Sequence, residues 1–414
     1  MHIKTDQARL SRLSTHEMTS NNELAVPDAM KNPTIVQTSP YVIIIEDKQS
    51  MQVFVMDIAA ELKHPVADVV AQVLVTCQKP TPLSRLTQHY SSELLDSMLH
   101  SKWLSPVEER WDLHSLRRVE IETSTVCNWR CEYCPVKHTP KPAQSMSMDL
   151  FLTIIEKAAR HPTVEAVTFH SYCEPTLDRH FEERVEALSK TRLKLDLFTN
   201  GSGLIEKKLW MLKNSGVVRR ICFNFPTLDE ARFKEMTGSS SYKQTLEHID
   251  LAISYGFDVK FAVMDKGDEQ SKENLREMNQ RFAALLQSRI EPWRTTDRAG
   301  LLTNDYFKDL HITDPYLFGC FIAAVQLHIS VSGECFLCCE DYHQKETFGN
   351  IASGEIVDIV NSPRAKLLRK RVFGGVQAPD DFICRRCLEM NKMRACAKGV
   401  AHYPLGRIAS KISN

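Results

Sequence analysis

The stretch Thr125-Val126-Cys127-Asn128-Trp129-Arg130-Cys131-Glu132-Tyr133-Cys134-Pro135 sets three cysteines at Cys-x3-Cys-x2-Cys spacing. Three thiolates this close suit three irons of a cubane cluster, and no fourth cysteine lies nearby in the sequence. A structural zinc site wants four protein ligands and a closed shell, and an iron–sulfur cluster is normally held by four cysteines. A missing fourth cysteine leaves one iron with an open coordination position for some other ligand. A zinc knuckle completed by His138 is the competing reading of the same residues.

The chain has 414 residues, enough for two or three domains. Hydrophobic residues make up 43% and charged residues 25%, the balance of a soluble globular protein. With 52 basic and 52 acidic residues, no net charge draws it to nucleic acid. Apolar runs such as Tyr41–Ile45 are too brief to span a bilayer, and the N-terminus lacks an apolar signal-peptide core. The 13 cysteines are then expected to meet a reducing cytoplasm, where metal binding or catalysis outweighs disulfides.

Four regions follow one another. Residues 1–39 are polar and aperiodic, a flexible lead. Residues 40–110 hold a hairpin (Tyr41–Glu46 and Gln52–Met56) and three helices (Pro65–Cys77, Leu83–Tyr90, Ser92–Trp103), an order that suits a winged-helix-like module. Residues 111–300 alternate strands with helices: strands at Val119–Glu122, Val164–Phe169, Leu193–Phe198, Val217–Phe223, Phe257–Val263 and Arg289–Trp293 imply a parallel sheet covered by helices, a partial (β/α)6 barrel. Residues 301–414 are cysteine-rich.

Functional groups in βα barrels gather at the C-terminal ends of strands. Here the first strand runs into the cysteine loop, the second into His170-Ser171-Tyr172-Cys173-Glu174-Pro175, the third into Thr199-Asn200-Gly201 and the fourth into Asn224-Phe225-Pro226. All four deliver polar residues to one rim. In the last region, Cys320, a strand at Val325–Val331, the Gly333 turn and Cys338 form a hairpin that brings its two cysteines together. Cys384-Arg385-Arg386-Cys387 adds a pair facing one metal. Four thiolates make a closed site, and on ligand count alone zinc and an iron–sulfur cluster fit equally.

The three-cysteine loop, with an aromatic residue before its third cysteine, resembles the signature of the radical S-adenosylmethionine (radical SAM) enzymes. The Cys320–Cys387 pattern, with Phe348-Gly349-Asn350-Ile351 and Glu355–Asn361 between, resembles their SPASM/twitch extension. That resemblance implies a partial barrel with a [4Fe-4S] cluster on Cys127, Cys131 and Cys134, bound S-adenosylmethionine and a 5′-deoxyadenosyl radical. It also implies one auxiliary [4Fe-4S] cluster on Cys320, Cys338, Cys384 and Cys387, with Cys335, Cys339 and Cys396 as spare thiols. Tyr172-Cys173-Glu174-Pro175 resembles the Gly-Gly-Glu-Pro motif that binds the methionine amino group, so Glu174 is expected there, with Cys173 in a glycine's place. Asn200 and Asn224 match contacts to the carboxylate and ribose, and Tyr133 is placed against adenine. Glu340 and Asp341 match a catalytic carboxylate of some relatives. Cys173 facing the site would be a hydrogen-atom donor, and Cys222 a core residue.

The module at 40–110 resembles, in element order, the peptide-recognition element of enzymes that modify ribosomally made peptides. The expected function is therefore radical C–H functionalisation (crosslinking or oxidation) in maturation of such a peptide. Redox tailoring of a small molecule is the second reading, and a zinc-binding interaction protein the third. Expected partners are the substrate and an electron donor such as flavodoxin or ferredoxin, without nucleic acid or membrane.

Overall fold

The computed structural model describes residues 34–47, 52–57, 62–294, 297–298, 301–302 and 311–387. The lead before residue 34, and Cys396, lie outside the described residues.

The N-terminal module holds strands β1 (Ile35–Thr38), β2 (Val42–Asp47), β3 (Gln52–Asp57), β4 (Leu62–Pro65), β5 (Thr81–Pro82) and β6 (Leu104–Pro106), with helices α1 (Asp68–Thr76), α2 (Leu83–Leu86) and α3 (Ser92–His100). The expected hairpin is present: β2 and β3 pair antiparallel from Val42↔Asp57 to Asp47↔Gln52, and β4 extends it. A second small antiparallel sheet, ordered β5-β1-β6, lies outside the winged-helix expectation. Its strand β1 begins inside the segment expected to be flexible. Val36 is fully buried in the module's own core with Val42, Leu74 and Leu104. That burial recruits the end of a polar segment into a strand.

Strands β7 (Arg118–Ile121), β8 (Ala166–Phe169), β9 (Lys194–Thr199), β10 (Val218–Phe223) and β11 (Val259–Phe261) form one parallel run. The strand expected over 257–263 breaks at Ala262, whose N–H goes to the Phe223 carbonyl (2.8 Å). Its continuation, β12 (Val263–Asp265), pairs in parallel with β13 (Pro292–Arg294). Helices α4 (Pro135–His138), α5 (Met148–Arg160), α6 (Phe181–Ser189), α7 (Glu206–Ser215), α8 (Glu230–Thr237), α9 (Tyr242–Ser254) and α10 (Glu269–Leu286) connect them. Helix α5 shows why such helices form. Ser147 caps it by accepting from the Leu150 N–H, and Phe151, Ile154, Ile155 and Ala158 bury one face. Burying such side chains stabilises by about 1.5–3 kcal/mol for each large one.

The strand expected over 325–331 starts with a helical turn, α11 (Phe321–Val325), and becomes β14 (Gln326–Ile329), followed by β15 (Glu334–Phe336) and β16 (Thr347–Asn350). β14 pairs in parallel with β7, Gln326↔Arg118 to Ile329↔Ile121, so this hairpin extends the barrel sheet to eight strands. The barrel and the C-terminal region thus share one sheet and one core. Helices α12 (Ile356–Val360) and α13 (Pro363–Val372) clamp the linker to the N-terminal module. Arg369 donates to the Trp111 carbonyl, Asn361 accepts from the Leu113 N–H (2.7 Å), and Phe373 meets Tyr41 edge to face at 5.0 Å. Among the described residues, no helix is long and apolar enough to cross a membrane.

Candidate metal centres

β7 leads into the first cysteine loop, which is pinned at several points. Trp129 is buried edge-on against Phe233 at 5.1 Å. The Arg130 and Glu132 N–H groups donate to the Thr237 and Met236 carbonyls at the end of α8, each at 2.9 Å. Pro135 starts α4 directly after Cys134, where a missing N–H costs nothing. Burial, with a contribution from the neighbouring Cys134, drives the Cys127 thiol up to about 12; burial also raises Cys131 and Cys134, and Cys134 and Cys127 add to the rise at Cys131. Raised in this way, the three thiols are neutral in the empty loop, and holding all three as thiolates would take a shared cationic centre, which is the donor set of a cubane with one open iron. Among the described residues, no three His, Cys, Asp or Glu side chains crowd together as a single ion requires. His138, the ligand needed for zinc, is exposed and near the Glu132 carbonyl (3.4 Å).

The four strand ends converge on this loop. The Asn224 amide lies 3.7 Å from Cys131 Sγ and accepts from the Tyr133 hydroxyl at 2.9 Å. The Asn200 amide lies 4.0 Å from Cys127 Sγ and donates to Asn128 Oδ1 at 2.8 Å. The Glu174 backbone N–H donates to the Val126 carbonyl (2.8 Å), beside Cys127. Its carboxylate is buried, which raises its pKa, while hydrogen bonds from Thr176, Asn200 and Thr199 oppose the rise. Oε1 accepts from the Thr176 N–H (3.1 Å), the Thr176 hydroxyl (2.5 Å) and the Thr199 hydroxyl (2.7 Å). Among the described residues, Oε2 accepts only from the Asn200 N–H (2.6 Å), which leaves it acceptor capacity. Cys173 directs its thiol at the His170 carbonyl (3.7 Å), and burial beside Glu122 and Glu174 raises its pKa. Cys222 is in the core, as expected.

The second set converges as well. Burial and the neighbouring thiols Cys339, Cys384 and Cys387 push the Cys338 thiol well above the usual range; Cys387 and Cys320 do the same to Cys384. The Cys384–Cys387 knuckle is a short 3-10 turn closed by the Cys387 N–H on the Cys384 carbonyl (3.3 Å). Arg385, buried within it, donates to the carbonyls of Pro379, Ile312, Asp314 and Ala378, tying the knuckle to the segment before Cys320. Cys335 stands apart on β15, fully buried, with Glu334 and Lys157 as its charged neighbours.

The two expected catalytic carboxylates have separate fates. Asp341 accepts from the Lys345 (2.9 Å) and Glu346 (2.7 Å) N–H groups, so both oxygens shape the loop. Glu340 pairs with Arg298 at 2.6 Å. The sequence reading missed a buried cluster on the sheet. Glu120 Oε1 accepts from the Ser171 hydroxyl (2.7 Å) and faces His170 Nδ1 (3.2 Å) and His328 Nδ1 (3.1 Å). Burial opposes ionisation of Glu120, but the two imidazoles outweigh it and hold the carboxyl well below its usual range. The signal was present in strand alternation, which puts Glu120 and His328 on the face opposite Val119 and Ile121. Ser171 (φ +81°) and Tyr172 (φ +66°) are left-handed without being glycine, a strain of about 1–3 kcal/mol each.

Residues 121–281 match the model of the radical SAM superfamily, and residues 320–388 match that of an iron–sulfur cluster-binding domain, SPASM. The chain is a radical SAM enzyme with a C-terminal SPASM domain. Its family's cofactors are a [4Fe-4S] cluster with S-adenosylmethionine, and auxiliary iron–sulfur clusters in the SPASM domain.

This radical SAM chain is 23% identical over 277 residues to the S-adenosyl-L-methionine-dependent 2-deoxy-scyllo-inosamine dehydrogenase of Niallia circulans, a span of 65% of this chain and 91% of the relative. It is 28% identical over 173 residues to the tungsten-containing aldehyde ferredoxin oxidoreductase cofactor-modifying protein of Pyrococcus furiosus, covering 41% of this chain and 48% of that protein. In fold it is similar to Streptococcus suis SuiB bound to its precursor peptide SuiA. The TM-score is 0.53 at 14% identity, covering 81% of this chain and 90% of that one.

Proposed function

We propose that this radical SAM enzyme functionalises an unactivated C–H bond of a ribosomally made peptide, whose leader docks on the N-terminal module. The observation that carries this is the free edge of β2: among the described residues, Val42–Asp47 pairs only with β3. An unpaired strand edge is a template for adding a peptide strand. A cleft of about 390 Å³ opens beside it, between module and barrel, lined by Val42, Asp57, Lys102, Arg110, Arg117 and Glu165. The fold overlap with SuiB, whose structure holds its precursor peptide, supports the same reading.

When bound, the cluster and S-adenosylmethionine supply a radical that removes a substrate hydrogen. Cys127, Cys131 and Cys134 would hold that cluster; Glu174 Oε2 would accept from the methionine ammonium, a charge-assisted bond. Asn224 and Tyr133 would orient the cofactor's sugar and base, and Asn200 its carboxylate. Cys320, Cys338, Cys384 and Cys387 would hold one auxiliary cluster. Were the substrate radical oxidised, its electron would be taken up at the auxiliary site and its proton by His170, whose side chain is 34% exposed and lies 3.2 Å from Glu120, the arrangement that fixes an imidazole's tautomer. Glu340 would orient Arg298 in the same wall.

A second reading, oxidation of a small-molecule alcohol, is favoured by similarity to a dehydrogenase over nearly its whole length, and the expectation of one four-cysteine auxiliary set agrees with it. One experiment separates the two. The full-length protein is titrated with synthetic peptides covering the short reading frames that flank its own gene, and 5′-deoxyadenosine formation is followed with each peptide and with 2-deoxy-scyllo-inosamine. Saturable binding of one peptide with coupled deoxyadenosine formation supports the peptide reading. Turnover of the inosamine with no peptide bound overturns it.

A further inference from the structure

Two tyrosines cross between the radical loop and the auxiliary-cysteine loop, running in opposite directions. Tyr172, in the turn after β8, donates its hydroxyl to the Cys339 carbonyl. Tyr342, three residues past Cys339, donates its hydroxyl to the Thr139 carbonyl (2.6 Å), just beyond Cys134 and α4. Their rings meet edge to face at 4.8 Å and 89°. Charged groups brace the crossing on both sides. Lys141 lies 4.9 Å over the Tyr342 ring and pairs with Glu122 (2.6 Å). The other oxygen of Glu122 accepts from the Val331 N–H (3.2 Å) and the Gln344 amide (3.0 Å). Arg298 lies 5.7 Å over the Tyr172 ring and pairs with Glu340.

We infer that Tyr172 and Tyr342 form a reciprocal clasp that positions the auxiliary cysteines against the radical loop and so sets the separation of the two iron–sulfur sites. Three observations point the same way. Each hydroxyl reaches a backbone carbonyl of the other's region, so neither bond is local. Each side donates one of the two bonds, so separating the two loops breaks both. Tyr172 keeps its large side chain at a left-handed position, φ +66°, where the resembling motif has glycine. Strain of this kind persists only where the surroundings hold it, and here the hydroxyl bond, the ring contact and the overlying guanidinium do so. Electron exchange between two clusters falls steeply with their separation, so a fixed distance is a functional property. The inference rests on the assignment of two cluster sites.

The test uses the full-length protein with Tyr172→Phe, Tyr342→Phe, the double variant, and Tyr172→Leu as the change that removes the ring as well. The first readout needs no cofactor: the rate at which iodoacetamide labels Cys339 in the iron-free, reduced protein, read by mass spectrometry. Loss of either hydroxyl bond is expected to speed labelling about tenfold, and the double variant to fall short of the product of the two single effects. The second readout is the spin-relaxation enhancement between reduced clusters after reconstitution, which depends on their separation and is expected to weaken in both Phe variants. Wild-type labelling in both Phe variants overturns the clasp, as does strict multiplication of the two effects. A wild-type protein that takes up only one cluster overturns the two-site assignment instead, a result the iron-free labelling keeps distinct.

Discussion

The two cysteine sets offer the same ligand and, on the proposed assignment, reach opposite coordination by opposite routes. Cys127, Cys131 and Cys134 come from one short loop, so their proximity is nearly local, and neighbouring strand ends only close over them. Cys320, Cys338, Cys384 and Cys387 come from separate segments, gathered by the β14–β15 hairpin and the knuckle pinned by Arg385. On the proposed assignment the first set would leave room for a cofactor, beside Glu174, Asn200 and Asn224, and the second would fill its own shell. A loop that must admit a ligand is set by spacing, while a site that must stay closed is set by packing.

The largest effect expected to break this contrast is loss of the first set. The Cys127/Cys131/Cys134→Ala variant should lose about four of roughly eight irons and all 5′-deoxyadenosine formation under dithionite, measured by iron assay and chromatography. Because that loop is pinned by Trp129 and backbone bonds rather than by metal, the variant should still unfold cooperatively.

Arg385→Ala should act on the second set alone. Four carbonyls lose a buried charged donor, which costs about 3 kcal/mol or more. The urea midpoint should fall, and iron should drop toward four per chain with deoxyadenosine formation retained.

Glu174→Gln sharpens the open side of the comparison. It removes a charge-assisted partner worth about 1.5–3 kcal/mol, so S-adenosylmethionine should bind roughly ten- to hundredfold more weakly by calorimetry, with iron content unchanged. Tyr133→Phe, which loses one neutral hydrogen bond to Asn224, should cost about fivefold in the same measurement.

The smallest effect is expected at Cys335, a buried thiol near neither set. Cys335→Ala should leave both iron content and S-adenosylmethionine binding at wild-type values and lower stability by about 1 kcal/mol through a small cavity. Loss of iron there would show that β15 supplies a ligand and that the closed set is wrongly drawn.

What the sequence determined is whatever depends on short spacing and regular period. The Cys-x3-Cys-x2-Cys loop, the strand ends carrying Glu174, Asn200 and Asn224, and the helix at α5 were all legible. Their signals span a few residues, and strand alternation or helical period carries them directly. The four auxiliary cysteines were legible as two pairs, one across a hairpin and one at Cys-x2-Cys spacing, and the family resemblance alone chose an iron–sulfur cluster over zinc for them.

Tertiary structure decided the rest. The continuation of the barrel sheet into β14 depends on pairing between strands some two hundred residues apart, which leaves no local trace. The Glu120–His170–His328 cluster exists because β7, β14 and the turn just after β8 put polar side chains on one face, and only their register brings those side chains to a single carboxylate oxygen. Asp341 and Glu340 are neighbours in sequence with nearly the same chemistry. One is bound to backbone N–H groups and the other to Arg298, because a carboxylate's role is set by the donors that the fold delivers to it.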